Sequence, residues 1–230
     1  MKDNLILKNA KKKIEKFNRI GLHYDLVAKA VYEKRQLCAD PFSQSFTRYV
    51  IAGLISFDIG RMMGTAERAY DFKGKGFGSR LKSKLEQIKE MLEPLMNLSL
   101  TEIHLQQHRH RIVNAYVILS DNGEDALSGN SKKHFYVGAS KILHFLNPAL
   151  FIIVDRNAAV AFRKCHGIEF KKSTQPGYSA QKYVKCMECA QEDIQKYNRA
   201  HRQGFETLEQ GTPIARIYDK LTFITGRKPG

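Results

Sequence analysis

The chain has no apolar run near the roughly 18 consecutive residues that a bilayer-crossing helix needs, so no membrane partner is expected. The N-terminal stretch MKDNLILKNAKKKIEKF has no apolar core of signal-peptide length, and a cytoplasmic location is expected from that. Cysteine is scarce, at four residues in 230. Without a secretion signal, four cysteines argue against a disulfide framework and leave reduced thiols or a metal site. Long apolar-polar alternation is almost absent and no repeat of fixed period appears, so the expected fold class is all-α. Phe151 to Val154 stays open between a strand and a buried loop, because four apolar residues cannot decide it.

Nucleotide motifs are missing as well. Asp71 to Lys84, DFKGKGFGSRLKSK, alternates glycine with Lys75 and Phe77 but has neither GxxxxGK[ST] nor GxGxxG spacing. It reads as a flexible basic connector, with Ser79 as the cap of the next helix. A backbone phosphate cradle, with Lys75 beside it, is the sharper reading.

Acidic residues are also few. Against 23 of them stand 38 lysines and arginines, a formal charge of +15. An excess of this size favours a polyanionic partner, because each phosphate neutralised releases condensed counterions. Nucleic acid is the expected partner, with an acidic protein or a membrane surface as the competing ones.

Helical periodicity accounts for most of what is present. Residues 5 to 37 read as helix with a break at Gly21, carrying a basic face at Lys11, Lys12 and Lys13. Asp40-Pro41 reads as a helix opening, and Phe42 to Met63 as a buried helix. Leu81 to Met96 and Ser99 to Ser120 follow, the second with Thr101 as its cap. Ala180 to Arg202 and the segment PIARIYDKLTFITG complete the set. The chain reads as one helical domain, divisible into a helical lobe (1–130) and a second lobe (131–230), with the polar loop Asp121 to Lys133 between them.

Two stretches carry residues with metal-ligand spacing. His104 and His108 share a helix face but lack an HExxH carboxylate. Cys165, His166, Cys186 and Cys189 could supply three thiolates and an imidazole to zinc, but the CxxC lies in a helical pattern that suits buried small side chains. Neither a metal nor another cofactor is expected.

Phe135 to Phe162, FYVGASKILHFLNPALFIIVDRNAAVAF, organises the rest. It reads as a glycine-containing opening, a helix starting near Lys141, a proline-broken turn, a buried apolar run, and a helix starting at Asp155. An amine and a carboxylate at two successive helix starts suit a catalytic pair; an exposed lysine and an N-cap are the alternative. From Ser140, Lys141, Leu143, His144, Phe145, Leu146, Pro148 and Phe151 to Asp155, the stretch resembles the helix-hairpin-helix DNA glycosylases, and within them the 8-oxoguanine glycosylase-like bacterial proteins. The family's usual LPGVGxK hairpin stands here as Val137, Gly138, Ala139, Ser140, Lys141 with a different glycine placement.

The resemblance implies a helix-hairpin-helix fold and a DNA-repair glycosylase with AP-lyase activity on an oxidised purine. It implies Lys141 as the nucleophile that attacks sugar C1′ and forms a Schiff base. Asp155 would orient groups and stabilise positive charge at the sugar. A lysine is a poor nucleophile near its free pKa of about 10.4, so it must be desolvated or held in a positive field, such as a helix N-terminus. The hairpin residues Val137, Gly138, Ala139 and Ser140 would contact double-stranded DNA, with Lys75 and Lys133 as further basic contacts. The alternatives are a non-catalytic nucleic-acid-binding helical protein and a basic protein-interaction module.

Overall fold

The computed structural model describes residues 4–59, 66–129, 134–170 and 176–227. Among these the chain is all-α, as expected, and contains no strand. The helices are α1 (Ala10–Ile20), α2 (Leu22–Leu37), α3 (Gln44–Leu54), α4 (Ala66–Ala69), α5 (Phe77–Leu92), α6 (Leu105–Ser120), α7 (Tyr136–Leu146), α8 (Arg156–His166), α9 (Pro176–Ala200) and α10 (Ile214–Gly226). No helix of the described residues is long and apolar enough to cross a membrane.

Helix α7 is the axis of the molecule. Every residue from Gly138 to Leu146 is buried. A helix covered on all sides belongs at the centre of a bundle, and α2, α3 and α6 all pack on α7. One hydrophobic cluster runs from Ile6 to Leu221 and passes through both sides of the 130/131 boundary.

The break at Gly21 falls where expected, between α1 and α2. The next helix opens at Ser43, not at Pro41, because the Ser43 hydroxyl accepts the Phe46 amide at 3.2 Å. It runs only to Leu54 and then widens into a π-turn over Ile55–Ile59. Met62 lies outside the described residues. The helix expected from Ser99 begins at Leu105, with His104, not Thr101, in the cap position. Lys13 does not belong to a solvated basic face. Its ammonium donates to Leu5 O, to Ile6 O at 3.1 Å and to Thr225 Oγ1 at 2.8 Å, which pins α1 to α10.

Helix α10 packs most extensively on α8 and α1. The approach to α8 is close. A Cβ on Gly226 would lie 1.8 Å from the Asn157 carbonyl oxygen, so only glycine fits there. Helix α8 ends on Gly167, whose φ of 67° is left-handed and whose amide bonds Arg163 O at 3.1 Å.

Candidate active site

The segment from Asn147 to Asp155 joins α7 to α8 and is neither strand nor helix. Phe151, Ile152, Ile153 and Val154 are all buried in it. Buried backbone must find partners, and here side chains supply them. Phe151 O is bonded to His144 Nδ1 at 2.5 Å. Tyr183 donates to Ile152 O at 3.0 Å. The Ile153 amide donates to Asp219 Oδ1 at 2.8 Å, and the Val154 amide to Ser140 Oγ at 3.2 Å. Helices α7, α9 and α10 therefore fix this segment, and with it Asp155.

Asp155 caps α8, as expected, with Oδ1 accepting the Ala158 amide at 2.8 Å. Lys141 is placed differently from the expectation. Because α7 begins at Tyr136, Lys141 lies in mid-helix, beyond the first turn where the positive end of the helix dipole acts. Its stem is buried, and its ammonium donates to Phe57 O at 2.9 Å and lies 5.0 Å from the centre of the Phe57 ring. Phe57 belongs to the π-turn, a distortion often found at functional sites.

Lys141 and Asp155 line the same cavity, of about 330 Å³. Phe17 and Phe57 form apolar walls, and α10 adds Arg216 and Asp219. Pockets of roughly 300–1,000 Å³ that combine apolar walls with a few convergent polar groups are typical small-molecule sites.

The α10 residues escaped the sequence reading. Arg216, Asp219 and Lys220 recur at helical spacing beside Ile217, Tyr218 and Leu221, a pattern that reads as a docked apolar face with a solvated charged one. Instead all three charged residues are at most 5% exposed. For Arg216 and Lys220, Asp25 of α2 is the reason. Its Oδ1 accepts from Arg216 Nη2 at 2.9 Å and its Oδ2 from Lys220 Nζ at 2.5 Å. Lys220 also donates to both oxygens of Glu209, at 2.6 and 2.8 Å, and to Asn18 Oδ1 at 3.0 Å. Removing one partner from such a network costs more than the network contributes relative to apolar packing, because a charge is left buried. Burial acts against the Arg216 charge, but Tyr32, Asp25 and Asp219 outweigh it and the guanidinium stays cationic.

His144 is neutral. Burial and the nearby Arg216 charge depress its pKa to about 3, against the raising effect of the Phe151 carbonyl. That carbonyl can only accept, so Nδ1 carries the hydrogen and Nε2 accepts from the Tyr32 hydroxyl at 2.5 Å. Burial raises the Asp219 carboxyl well above the carboxylate range, although Arg216 and the Ile153 amide act the other way. Its Oδ2 has no hydrogen-bond partner, with His144 Nδ1 at 3.5 Å.

The expected DNA-contact residues scatter. Val137, Gly138, Ala139 and Ser140 are not a hairpin loop but the first turns of α7, a correction to the expected motif. Val137 is exposed, whereas Gly138, Ala139 and Ser140 are buried. Gly138 makes room for the Phe135 ring, the Ala139 amide bonds Phe135 O at 2.8 Å, and Ser140 Oγ bonds Val137 O at 2.9 Å. Lys75 is exposed in the glycine-rich loop, and Lys133 lies outside the described residues.

That loop is not an open cradle. The Asp71 carboxylate accepts the amides of Lys73, Gly74 and Gly76, and Asp71 O accepts the Ser79 amide at 2.7 Å. The Gly74 and Lys73 amides hold the Asp71 pKa below its usual value. A carboxylate of the chain itself thus fills the position a phosphate would take. Ser79 is not a cap but lies inside α5, which starts at a fully buried Phe77.

Cys186 and Cys189 lie in α9 with buried side chains, and His166 Nε2 meets Asp193 Oδ2 at 3.0 Å. Among the described residues no three His, Cys, Asp or Glu side chains are grouped to hold a metal. Comparison with protein-family models, curated proteins and solved structures finds no match to this chain.

Proposed function

We propose that this protein is a DNA glycosylase with associated AP-lyase activity, of the helix-hairpin-helix kind, acting on an oxidised purine in duplex DNA. One observation carries the reading. Lys141 and Asp155, chosen from the sequence as nucleophile and partner, line one cavity although they belong to different helices. Arg216 adds a fixed positive charge there, and the net charge of +15 suits a polyanionic substrate.

In this reading the damaged nucleotide leaves the stack, at a cost of a few kcal/mol, and its sugar enters the cavity beside Lys141. The Lys141 ammonium gives up a proton to solvent, and the resulting amine leaves Phe57 O and attacks C1′. The C1′–N bond breaks, with its electrons going to the base. Asp155, fixed at the cavity by its cap on α8, offsets the positive charge that develops at the sugar. Opening of the sugar ring gives an imine, from which strand scission proceeds.

Sodium borohydride reduces such an imine to a stable amine, so wild-type protein should be trapped covalently on a duplex containing an oxidised purine. Lys141→Gln should not be trapped. Efficient trapping of Lys141→Gln removes Lys141 from the role. Salt-sensitive binding to duplex DNA without any trapping supports the non-catalytic nucleic-acid-binding reading instead.

A further inference from the structure

Two carboxyl groups line the cavity, and their surroundings differ. Asp155 is half-buried, caps a helix and accepts the Ala158 amide. Asp219 is 5% exposed, and only its Oδ1 is engaged, by the Ile153 amide. Its Oδ2 is buried without a hydrogen-bond partner. The charged and titratable groups around it are Lys141 and His144 of α7, Asp155 at the start of α8, Tyr183 of α9, Tyr32 of α2 and Arg216 one turn earlier on α10. His144 offers no cation, because it is neutral and its Nδ1 hydrogen is committed to Phe151 O. Arg216 is shared with Asp25. A carboxyl with one oxygen held and the other buried and unengaged suits the protonated form, with the hydrogen on Oδ2.

Two carboxyl groups in one cavity can divide into an acid and an anion when one is buried with an unengaged oxygen and the other accepts a helix amide. We propose that Asp219 is the proton donor of this cavity and that its Oδ2 hydrogen passes to the departing base, while Asp155 serves as the anion. The assignment rests on the glycosylase reading above. As C1′–N breaks, its electron pair leaves with the base, whose nitrogen takes the Asp219 proton. Lys141 Nζ closes its lone pair on C1′ and becomes a secondary ammonium. The ammonium sheds its proton to solvent, and solvent returns one proton to the Asp219 carboxylate, which restores the acid. One proton enters the base, one leaves the amine, and no further reactant is needed.

Asp219→Asn is the decisive variant, since the amide oxygen can still accept from Ile153 but the group has no acidic proton. Two duplexes separate the outcomes: one with a single oxidised purine, and one with an abasic site in its place, where no base remains to leave. Asp219→Asn should excise the base about 100-fold more slowly, within the usual range for loss of a general acid. It should still be trapped by borohydride on the abasic duplex nearly as well as wild type. Excision at the wild-type rate overturns the proton-donor role and leaves the glycosylase reading intact. An equal loss on both duplexes also overturns it, since that marks a structural role. Wild-type protein inert on both duplexes defeats the glycosylase reading itself. Difference infrared spectra give a readout without substrate: a protonated-carboxyl band at neutral pH present in wild type and absent from Asp219→Asn. No such difference overturns the assignment.

Discussion

The Ile153 amide donates to Asp219 Oδ1 at 2.8 Å, which ties the buried segment between α7 and α8 to the last helix of the chain. This bond couples the cavity to α10. Asp219→Ala leaves a buried amide without an acceptor, which costs about 1–3 kcal/mol. Asp219→Asn keeps an acceptor and should lose less. Urea midpoints of the two variants beside wild type measure the difference, and equal losses would show that the bond contributes little.

Asp219 and His144 oppose one another in acid. The folded-state pKa of His144 is depressed to about 3, so its contribution is present above about 6.5 and is lost as pH falls from there towards 3. Asp219 is raised, so its contribution is fully present below the usual carboxylate value of about 3.9 and is lost as pH rises above it. Between these limits the two slopes offset each other in wild type. Asp219→Asn removes one of them, so its stability should fall more steeply than that of wild type as pH drops from about 6.5 to about 4.5. Urea midpoints across that range test this, and parallel profiles would refute it.

His166 sets an alkaline limit. Burial alone would lower its pKa, but the hydrogen bonds to Asp193 and Cys189 outweigh burial and hold it at about 9. A raised histidine contributes its stability fully below the unfolded value of about 6.5 and loses it as pH rises through about 9. The unfolding free energy should therefore drop by on the order of 2–3 kcal/mol between pH 6.5 and 9.5. His166→Phe should be less stable at neutral pH but should lose less stability than wild type across that window. A variant that keeps the wild-type slope would assign the loss to another group.

Gly226→Ala should disturb α8 and α10 together, because the new methyl carbon would meet the Asn157 carbonyl at 1.8 Å and neither backbone can yield alone. The expected cost is about 2 kcal/mol or more, typical of an added group in a packed interior. Asn157 and Ala158 line the cavity, so borohydride trapping on damaged duplex should also weaken. Thermal unfolding measures the first effect, and an unchanged melting temperature would contradict the packing.

The helices were legible in the sequence because period and punctuation act locally: Gly21 separates two helices, and Asp155 opens one. Lys141 is the exception: it reads as the start of a helix but lies in the middle of α7. What could not be read locally was set by distant partners. Phe77 sits between glycines yet is fully buried, because its ring packs against Phe135 at 6.0 Å between centroids. The glycine-rich loop reads as open backbone, but the Asp71 carboxylate at its own start closes it. Gly138 reads as a hairpin glycine, whereas it serves to admit an aromatic ring inside a helix. Arg216 and Lys220 are buried because Asp25, on a helix nearly 200 residues earlier, accepts from both (|i−j| of 191 for the Arg216 pair).

The central claim is that Lys141 makes the covalent bond. The chain has 38 lysines and arginines, so trapping alone does not identify the attacking group. Peptide mapping by mass spectrometry of the borohydride-trapped complex does. The reduced sugar adduct should lie on the peptide containing Lys141, and Lys141→Gln should yield no complex. An adduct on any other lysine or on the N-terminal amine, or no adduct from wild-type protein on damaged duplex, would contradict the claim.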